Sequence, residues 1–394
     1  MNLLNNSRHV LVLDIGTTGI KAIIFDDKFN IIARAYEKLN KFFPKPGWVE
    51  QDPKEFITVA KKVLSAVIEQ SGLGENDFLG LGVTNQRETT ILWDKETGEA
   101  VCPAIVWEDN RTAEFCREID KKFGRVIELK TGLSANPYFS ASKIWWILEN
   151  VSTARGLLKN GRLLFGTVDS WALWNISKNK ERQTDFTNAA RTLLFNIKTL
   201  EWDSELLEIF GVESSLLPQV LSSSANFGIM NKDILGFEMP VLAICGDQQA
   251  SMFAAGAEIG TTKITYGTGA FISQIIGRDF LIRKPFFTTL AVSADSTAPL
   301  YMLEAKIEGC GQKVDQLLKE NKNLNEFIGQ LARQTDAYIK KLPLVPKEII
   351  LDGGITQAED IIKIQSQISG APAKRQNIFD GASLGMALLI NKAK

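Results

Sequence analysis

The stretch HVLVLDIGTTGIKAIIF at 9–25 most limits the folds open to this chain. A continuous Val/Leu run closes on an acid, turns through glycine and threonine, and resumes as a second apolar run. Such a run reads as a buried strand, and the turn sends the chain back beside it as a hairpin. IIARAY at 31–36, after the turn FDDKFN, adds a third strand and makes a β-meander. A helix is expected next. Asp52 can cap it, Pro53 suits its first turn and Glu55 completes a capping box. Phe56, Val59, Ala60, Val63, Leu64 and Val67 share one face at helical spacing. LGLGVT at 79–84 is then a further strand, so the chain opens as a mixed α/β domain.

The middle is helix-rich, with helical spacing at 140–150 and 200–210 and a helix starting in VDSWALW at 168–174. A second strand cluster begins near Pro240. PVLAICGD ends in an acid as HVLVLD does, and GTTKITYGTGAFISQIIG at 260–277 reads as another glycine-turned hairpin. EIILDGG at 348–354 is a late strand. The recurrence points to a weak internal duplication and to two α/β domains with a cleft between them, divided as 1–256 and 257–394.

With 394 residues and 45% hydrophobic content, the chain can build more than one core. Lysine plus arginine total 45 against 46 for aspartate plus glutamate, so net charge gives no argument for nucleic acid or an anionic membrane. No run approaches the roughly 20 apolar residues that span a bilayer, and no membrane insertion is expected. The start lacks the basic region and cleavage site of a signal peptide. The cysteines, Cys102, Cys116, Cys245 and Cys310, form no CxxC pair, which argues against a zinc site or disulfide framework and fits a reducing, cytoplasmic location. His9 is the only histidine, which excludes histidine-based nucleophilic triads and multi-histidine metal centres.

Several segments carry chemistry. In DIGTTGIK, Gly16 and Gly19 bracket Thr17 and Thr18, so backbone N–H groups and hydroxyls can approach a phosphate and Lys21 adds positive charge. Asp14, at the strand end, can hold a water-coordinated Mg²⁺. The bland alternative is an ordinary hairpin turn; the GxxxxGK[ST] loop is absent. Thr268 in TYGTG is a second phosphate candidate. Gly353 and Gly354 give a side-chain-free turn where a base or ribose can approach, although a strand-to-helix turn would use the same residues. Arg87 and Glu88 in NQRET offer a donor and an acceptor to a polyol, a pair that is more often solvated surface. Trp107 and Tyr138 can wall a sugar site or simply pack in the core. Asp247 in GDQQ follows an apolar strand. There it can act as a base toward an alcohol or as a helix cap.

Together these segments resemble the FGGY carbohydrate kinases, and within them the glycerol kinases. The resemblance runs almost continuously from about Leu11 to Gly277. It includes DIGTTGIKA, GWVEQDP, GVTNQRETTILWDKETG, AIVWEDNRT, PYFSASKIWWILEN, GTVDSWALWN, TDFTNAARTLLFN, GDQQA and TYGTG. It implies two ribonuclease-H-like domains of the actin/hexokinase/Hsp70 superfamily and ATP-dependent phosphorylation of glycerol to sn-glycerol 3-phosphate. It implies Asp247 as general base, with Arg87, Glu88, Trp107, Tyr138, Asp247, Gln248 and Phe271 around glycerol. Asp14 and Asp247 would serve Mg²⁺. Thr17, Thr18, Lys21, Thr268, Gly353 and Gly354 would serve ATP. Homo-oligomers occur within such a reading without being required by it. MLEAKIEGCGQKVDQLLKEN at 302–321 and NLNEFIGQLARQTDAYIKKL at 323–342 read as the helices flanking a segment that is missing near Asn321–Asn323. Ala358 stands where relatives often carry asparagine, so the nucleotide half departs most from the pattern. Competing readings are a kinase for another small polyol or ketose, a catalytically weak homologue that binds glycerol or nucleotide as a sensor, and a chaperone-like ATPase sharing only the fold.

Overall fold

The computed structural model describes residues 8–266, 270–293, 298–307, 324–357, 359–376 and 380–392. The chain packs as two compact units, Met1–Ala250 with Ala382–Lys394, and Ser251–Gly381. The sequence reading grouped 257–394 as one block, whereas the contacts group the last segment, Ala382–Lys394, with the first unit.

The first unit is built on strands β1 (His9–Ile15), β2 (Gly19–Phe25), β3 (Ile31–Lys38), β4 (Phe78–Asn85), β5 (Ile229–Met230) and β6 (Met239–Gly246). Their order across the sheet is β5-β6-β4-β1-β2-β3. The meander β1–β2–β3 is antiparallel, and β4 and β6 then add parallel to β1. Burial on both faces explains why β1 reads as an unbroken apolar run. Alternate side chains leave a strand on opposite faces. Leu11, Leu13, Leu81 and Val83 accordingly join Phe56, Val59, Val63 and Val67 of helix α1 (Pro53–Ser71) in one core. On the other face, a Cβ on Gly82 would lie 3.0 Å from Ile390 and 3.3 Å from Met386, both on the final helix Gly381–Lys392. Asp52 caps α1 as expected, accepting from Lys54 N–H. Glu55 does not complete the capping box, because Asn40 draws its carboxylate away through both the backbone N–H and the side-chain amide.

In the second unit the strands are β7 (Thr262–Tyr266), β8 (Ala270–Gly277), β9 (Phe287–Leu290), β10 (Tyr301–Ile307), β11 (Ile349–Asp352) and β12 (Ala373–Arg375). The order is β9-β10-β8-β7-β11-β12. Here β7, β8 and β10 are antiparallel neighbours, and β11 and β12 add in parallel. Apart from edge strands β5 and β9, this repeats the first sheet, so both units have the expected ribonuclease-H-like arrangement. The core of the second unit gathers Ile264, Ile272, Leu303, Ile328, Leu331 and Leu351.

Three expectations change. The second strand cluster does not begin at PVLAICG, because that run is β6, parallel to β4 in the first sheet. The residues expected as a helix from 302 begin as a strand, since β10 pairs with β8 on one side and β9 on the other. The helix expected over 200–210 shortens to Ser204–Phe210, capped by Asp203, because Glu201–Trp202 pairs with Phe195–Asn196. Thr268, Ala358, Cys310 and the segment Asn321–Asn323 lie outside the described residues. No described helix is long and apolar enough to cross a membrane.

Candidate functional site

Three neighbouring parallel strands of the first unit end at the same level. Asp14 is in register with Thr84, as is Cys245, and Asn85 is in register with Ile15 and Gly246. The chain leaving β1, β4 and β6 therefore delivers Asp14, the segment 85–88 and Asp247 to one end of the sheet, where open α/β sheets bind their ligands. Adjacent strands lie about 4.8 Å apart, which puts β1 and β6 roughly 10 Å from each other.

The Gly16–Gly19 turn closes through a backbone bond from Gly16 N–H to Gly19 O, 3.0 Å. Thr17 is half-buried and Thr18 exposed. Lys21 lies across β1–β2 from Asp14 and its ammonium sits 2.9 Å from Asp14 Oδ2, so the expected phosphate and metal residues form an ion pair. Ser383 Oγ approaches the same oxygen at 3.4 Å. A closed ring of hydrogen bonds ties this turn to the aromatic wall. Gln51 donates to Thr17 O (2.9 Å), Gln86 to Gln51 (2.9 Å), and Thr89 to Gln86 (3.1 Å). Trp107 N–H donates to Thr89 Oγ1 (3.3 Å), and its indole N–H returns to Thr17 Oγ1 (2.9 Å). Gln51, Gln86 and Thr89 are all buried, so their polar groups need these partners. Trp107 meets Tyr138 edge to face, 5.6 Å between ring centroids.

Glu88 has φ +62°, in the left-handed region, and Thr89 N–H reaches back to Arg87 O at 2.8 Å. A bond from i+2 to i around such a residue is the uncommon γ-turn, and holding a glutamate there costs about 1–3 kcal/mol. Arg87 and Glu88 are 3% and 2% exposed, so they are not the solvated pair their sequence suggests. Arg87 Nε lies 3.5 Å from Asp247 and 3.9 Å from Glu88, and its Nη1 donates to Gln249 at 3.1 Å. A side chain on Gly246 would collide with Arg87, 2.7 Å from Cδ, so the glycine before Asp247 makes room for the guanidinium. Arg191 donates to Glu88 Oε1 at 2.5 Å and lies over the rings of Tyr138 and Phe139. Arg191 lies in TDFTNAARTLLFN, a segment shared with the family, but no motif marks it. A guanidinium buried in a polar run, TNAART, was the available signal.

Asp247 opens the helix Asp247–Ala255 and accepts from Gln248 N–H at 2.7 Å. Its side chain is 32% exposed, sunk among the strand ends but not enclosed. Burial pushes its carboxyl up to about 7, Arg87 opposes the rise, and the charges of Glu88 and Asp14 add to it. A carboxyl titrating there exchanges a proton readily near neutral pH. The structure thus brings Asp14, Lys21, Thr17, Arg87, Glu88, Trp107, Tyr138, Asp247 and Gln248 to the first unit, with Thr18 at the turn.

The remaining candidates belong to the second unit. Phe271, 9% exposed on β8, is paired with Thr265 and Lys306. Gly353 has φ +94°, and a Cβ there would lie 2.2 Å from Tyr266 O, so its own chain already requires glycine. Gly354 is exposed with open space at its Cβ. Burial raises the Asp352 carboxyl, but Lys263, 3.2 Å away, together with Ser251 and Gly353 N–H, brings it below the usual range.

Residues 9–254 match the N-terminal domain of the FGGY family of carbohydrate kinases. The glycerol kinase of Aquifex aeolicus is 47% identical over 283 residues, 72% of this chain and 57% of that protein. Glycerol kinase 2 of Thermotoga maritima is 40% identical over 339 residues, 85% of this chain and 67% of that protein. Across the first three such relatives the chain spans 57%, 64% and 60% of their length. The crystal structure of Plasmodium falciparum glycerol kinase with ADP superposes with a TM-score of 0.89 at 26% identity, over 97% of this chain and 89% of that one.

Proposed function

Since the chain belongs to the FGGY family of carbohydrate kinases, we propose that it phosphorylates glycerol to sn-glycerol 3-phosphate at the expense of ATP, with Asp247 as general base. The observation that carries this reading is the placement of Asp247, at the end of β6, 3.5 Å from Arg87 of a buried Arg87–Glu88 pair at the end of β4.

In this mechanism Arg87 donates to one acceptor hydroxyl and Glu88 accepts from another, while Trp107 and Tyr138 cover the carbon edge. Gln248 is a further hydroxyl contact. Asp247 takes the proton of the reacting hydroxyl as its oxygen bonds to phosphorus. ATP supplies the phosphoryl group, and the bond between that phosphorus and the ADP oxygen breaks in the same transfer. In the first unit Thr17, Thr18 and Lys21 are the residues for the phosphates; in the second, Gly353 and Gly354 are the candidates for the nucleotide, as is Thr268 from the sequence alone.

Mg²⁺ prefers one or two carboxylates with water and phosphate oxygens. Asp14 and Asp247 fit that demand, and no described cluster of three or more His, Cys, Asp or Glu offers an all-protein cage. When bound it would neutralise charge building on the phosphates. Asp14 would then exchange part of its ion pair with Lys21, freeing the ammonium for phosphate.

The test is ADP release by purified protein with glycerol, dihydroxyacetone, xylulose and ribulose as acceptors. A site that pairs hydroxyls discriminates strongly against compounds lacking them, and glycerol should give the highest kcat/KM. Preference for a pentulose would overturn the acceptor assignment. The segment missing near Asn321–Asn323 relative to the family pattern favours a second reading, a glycerol-binding homologue with feeble transfer. Calorimetric glycerol binding without ADP release would select it.

A further inference from the structure

Helix Ser140–Asn150 carries a lysine in its first turn, Lys143, whose side chain is 0% exposed. A cation there opposes the helix macrodipole, and burial costs it its hydration. Neither helix stability nor solubility accounts for it. Its ammonium donates to two backbone carbonyls, Tyr138 O at 2.6 Å and Glu88 O at 3.3 Å. Those carbonyls belong to the two segments that frame the acceptor site. Glu88 O, at the strained turn, also accepts from Ser140 Oγ at 3.3 Å and Thr90 Oγ1 at 3.1 Å. Of the three donors only Lys143 is charged, and it alone of them also bonds Tyr138 O.

We propose that Lys143 is a positioning residue for the acceptor: by bridging Glu88 O and Tyr138 O it holds the strained turn, and with it the Arg87–Glu88 pair, at a fixed distance from the aromatic wall. The proposal rests on the acceptor site assigned above. It deepens that assignment by making acceptor affinity depend on a charge that never touches the acceptor.

The environment of Lys143 gives the bridge a pH dependence. Burial brings its ammonium down to about 8 against the opposing pull of the Glu88 and Asp109 carboxylates, with the Cys116 thiol adding to that pull and the Arg111 guanidinium acting the other way. These groups come from the 85–88 turn, the segment before helix Ala113–Thr131, and that helix itself. As pH rises through about 8 the charged donor is lost and the turn loosens. Acceptor KM should rise there, while kcat at saturating acceptor should not follow.

The test compares the wild type with Lys143→Met and Lys143→Arg by steady-state kinetics, glycerol calorimetry and amide exchange of the 85–90 peptide. A hydrogen bond from a charged donor is worth about 1.5–3 kcal/mol, equivalent to about 10–100-fold in affinity. Lys143→Met should therefore raise glycerol KM and Kd by about 10–100-fold and speed exchange at Thr89. It should leave the nucleotide KM within about twofold and abolish the rise in acceptor KM above pH 8. Lys143→Arg should restore part of the affinity. A folded Lys143→Met protein with unchanged glycerol KM would overturn the proposal. So would a loss shared equally between glycerol and nucleotide, which marks general loosening. If Lys143→Met does not fold, a wild-type glycerol Kd that stays flat from pH 7 to 9 overturns it instead. A wild type that binds no glycerol at all defeats the acceptor assignment and the proposal with it, and the exchange rates then report whether Lys143 still holds the turn.

Discussion

Asp247→Asn isolates proton transfer from nearly everything else Asp247 does. Asparagine keeps the size of the side chain and an oxygen for Gln248 N–H, now 2.7 Å from the carboxylate. It loses the ability to take a proton and the attraction to Arg87 at 3.5 Å. Glycerol affinity should change little, because Arg87 keeps Gln249 as an acceptor. Turnover should fall about 10²–10⁴-fold, the usual contribution of a positioned acid–base group. The pH profile is the sharper readout. With the carboxyl at about 7, about one site in eleven is ionised at pH 6 and about ten in eleven at pH 8. Wild-type kcat/KM should therefore drop about tenfold between pH 8 and pH 6, and the residual activity of the asparagine variant should lack that limb. Stability carries the opposite sign. The folded carboxyl is raised above its ordinary 3.8, so the proton's contribution to stability is complete below about pH 4 and lost as pH rises through 7. The variant should gain in melting temperature relative to wild type between pH 5 and pH 8. Near wild-type turnover in a correctly folded variant, or an acid limb that survives the substitution unmoved, would refute the role.

Gly246→Ala would place a methyl 2.7 Å from Arg87 Cδ, so acceptor KM should rise about tenfold or more and stability should fall by about 1–3 kcal/mol; an unchanged KM in the folded variant would show that Arg87 does not contact the acceptor. Arg191→Met removes the 2.5 Å partner of a buried carboxylate and should destabilise by about 3–5 kcal/mol. Adding Glu88→Gln should recover part of that in a denaturation cycle, and strictly additive losses would contradict the pairing.

Local pattern carried much of the fold. Continuous apolar runs, the Asp52–Pro53 start of α1 and its one-sided face all specify elements within about twenty residues, and each formed where its own chemistry placed it. What failed was decided at longer range. Glu55 has the spacing of a capping box, but Asn40 lies beside it only after β3 has returned along the sheet. MLEAKI has no strong strand alternation of its own, and its pairing with β8 and β9 settles it. The site behaved the same way. Motifs marked Arg87, Glu88 and Asp247, but not that the first two would be buried, nor that Glu88 would sit at positive φ. Lys143 and Arg191 escaped notice because a buried cation and a solvated one are spelled identically in sequence. Only the positions of carbonyls and carboxylates from distant segments tell them apart.

The repeated sheet order of the two units bears on why the proposed chemistry draws on the first. In both, a hairpin is flanked by parallel strands on one side, so either unit offers the same row of strand ends. The charges are distributed differently. In the first unit the acid terminates the hairpin strand β1, with its lysine across the turn and half-open to solvent at 22% exposure. In the second, β7 ends in Tyr266, whose hydroxyl donates into the core at Gln365, and the acid has moved one strand over to Asp352. There Lys263, 2% exposed, and Ser251 bind it from within the unit. A carboxylate satisfied that completely has little left to offer a metal ion. Among the described residues Asp14 has Lys21 and a long contact from Ser383, and burial, with the charges of Glu88 and Asp14, lifts the Asp247 carboxyl to about 7 against the pull of Arg87. The same scaffold thus yields one row of strand ends whose acids keep fewer donors, as the proposed reaction needs, and one whose acid is held by Lys263, Ser251 and Gly353 N–H.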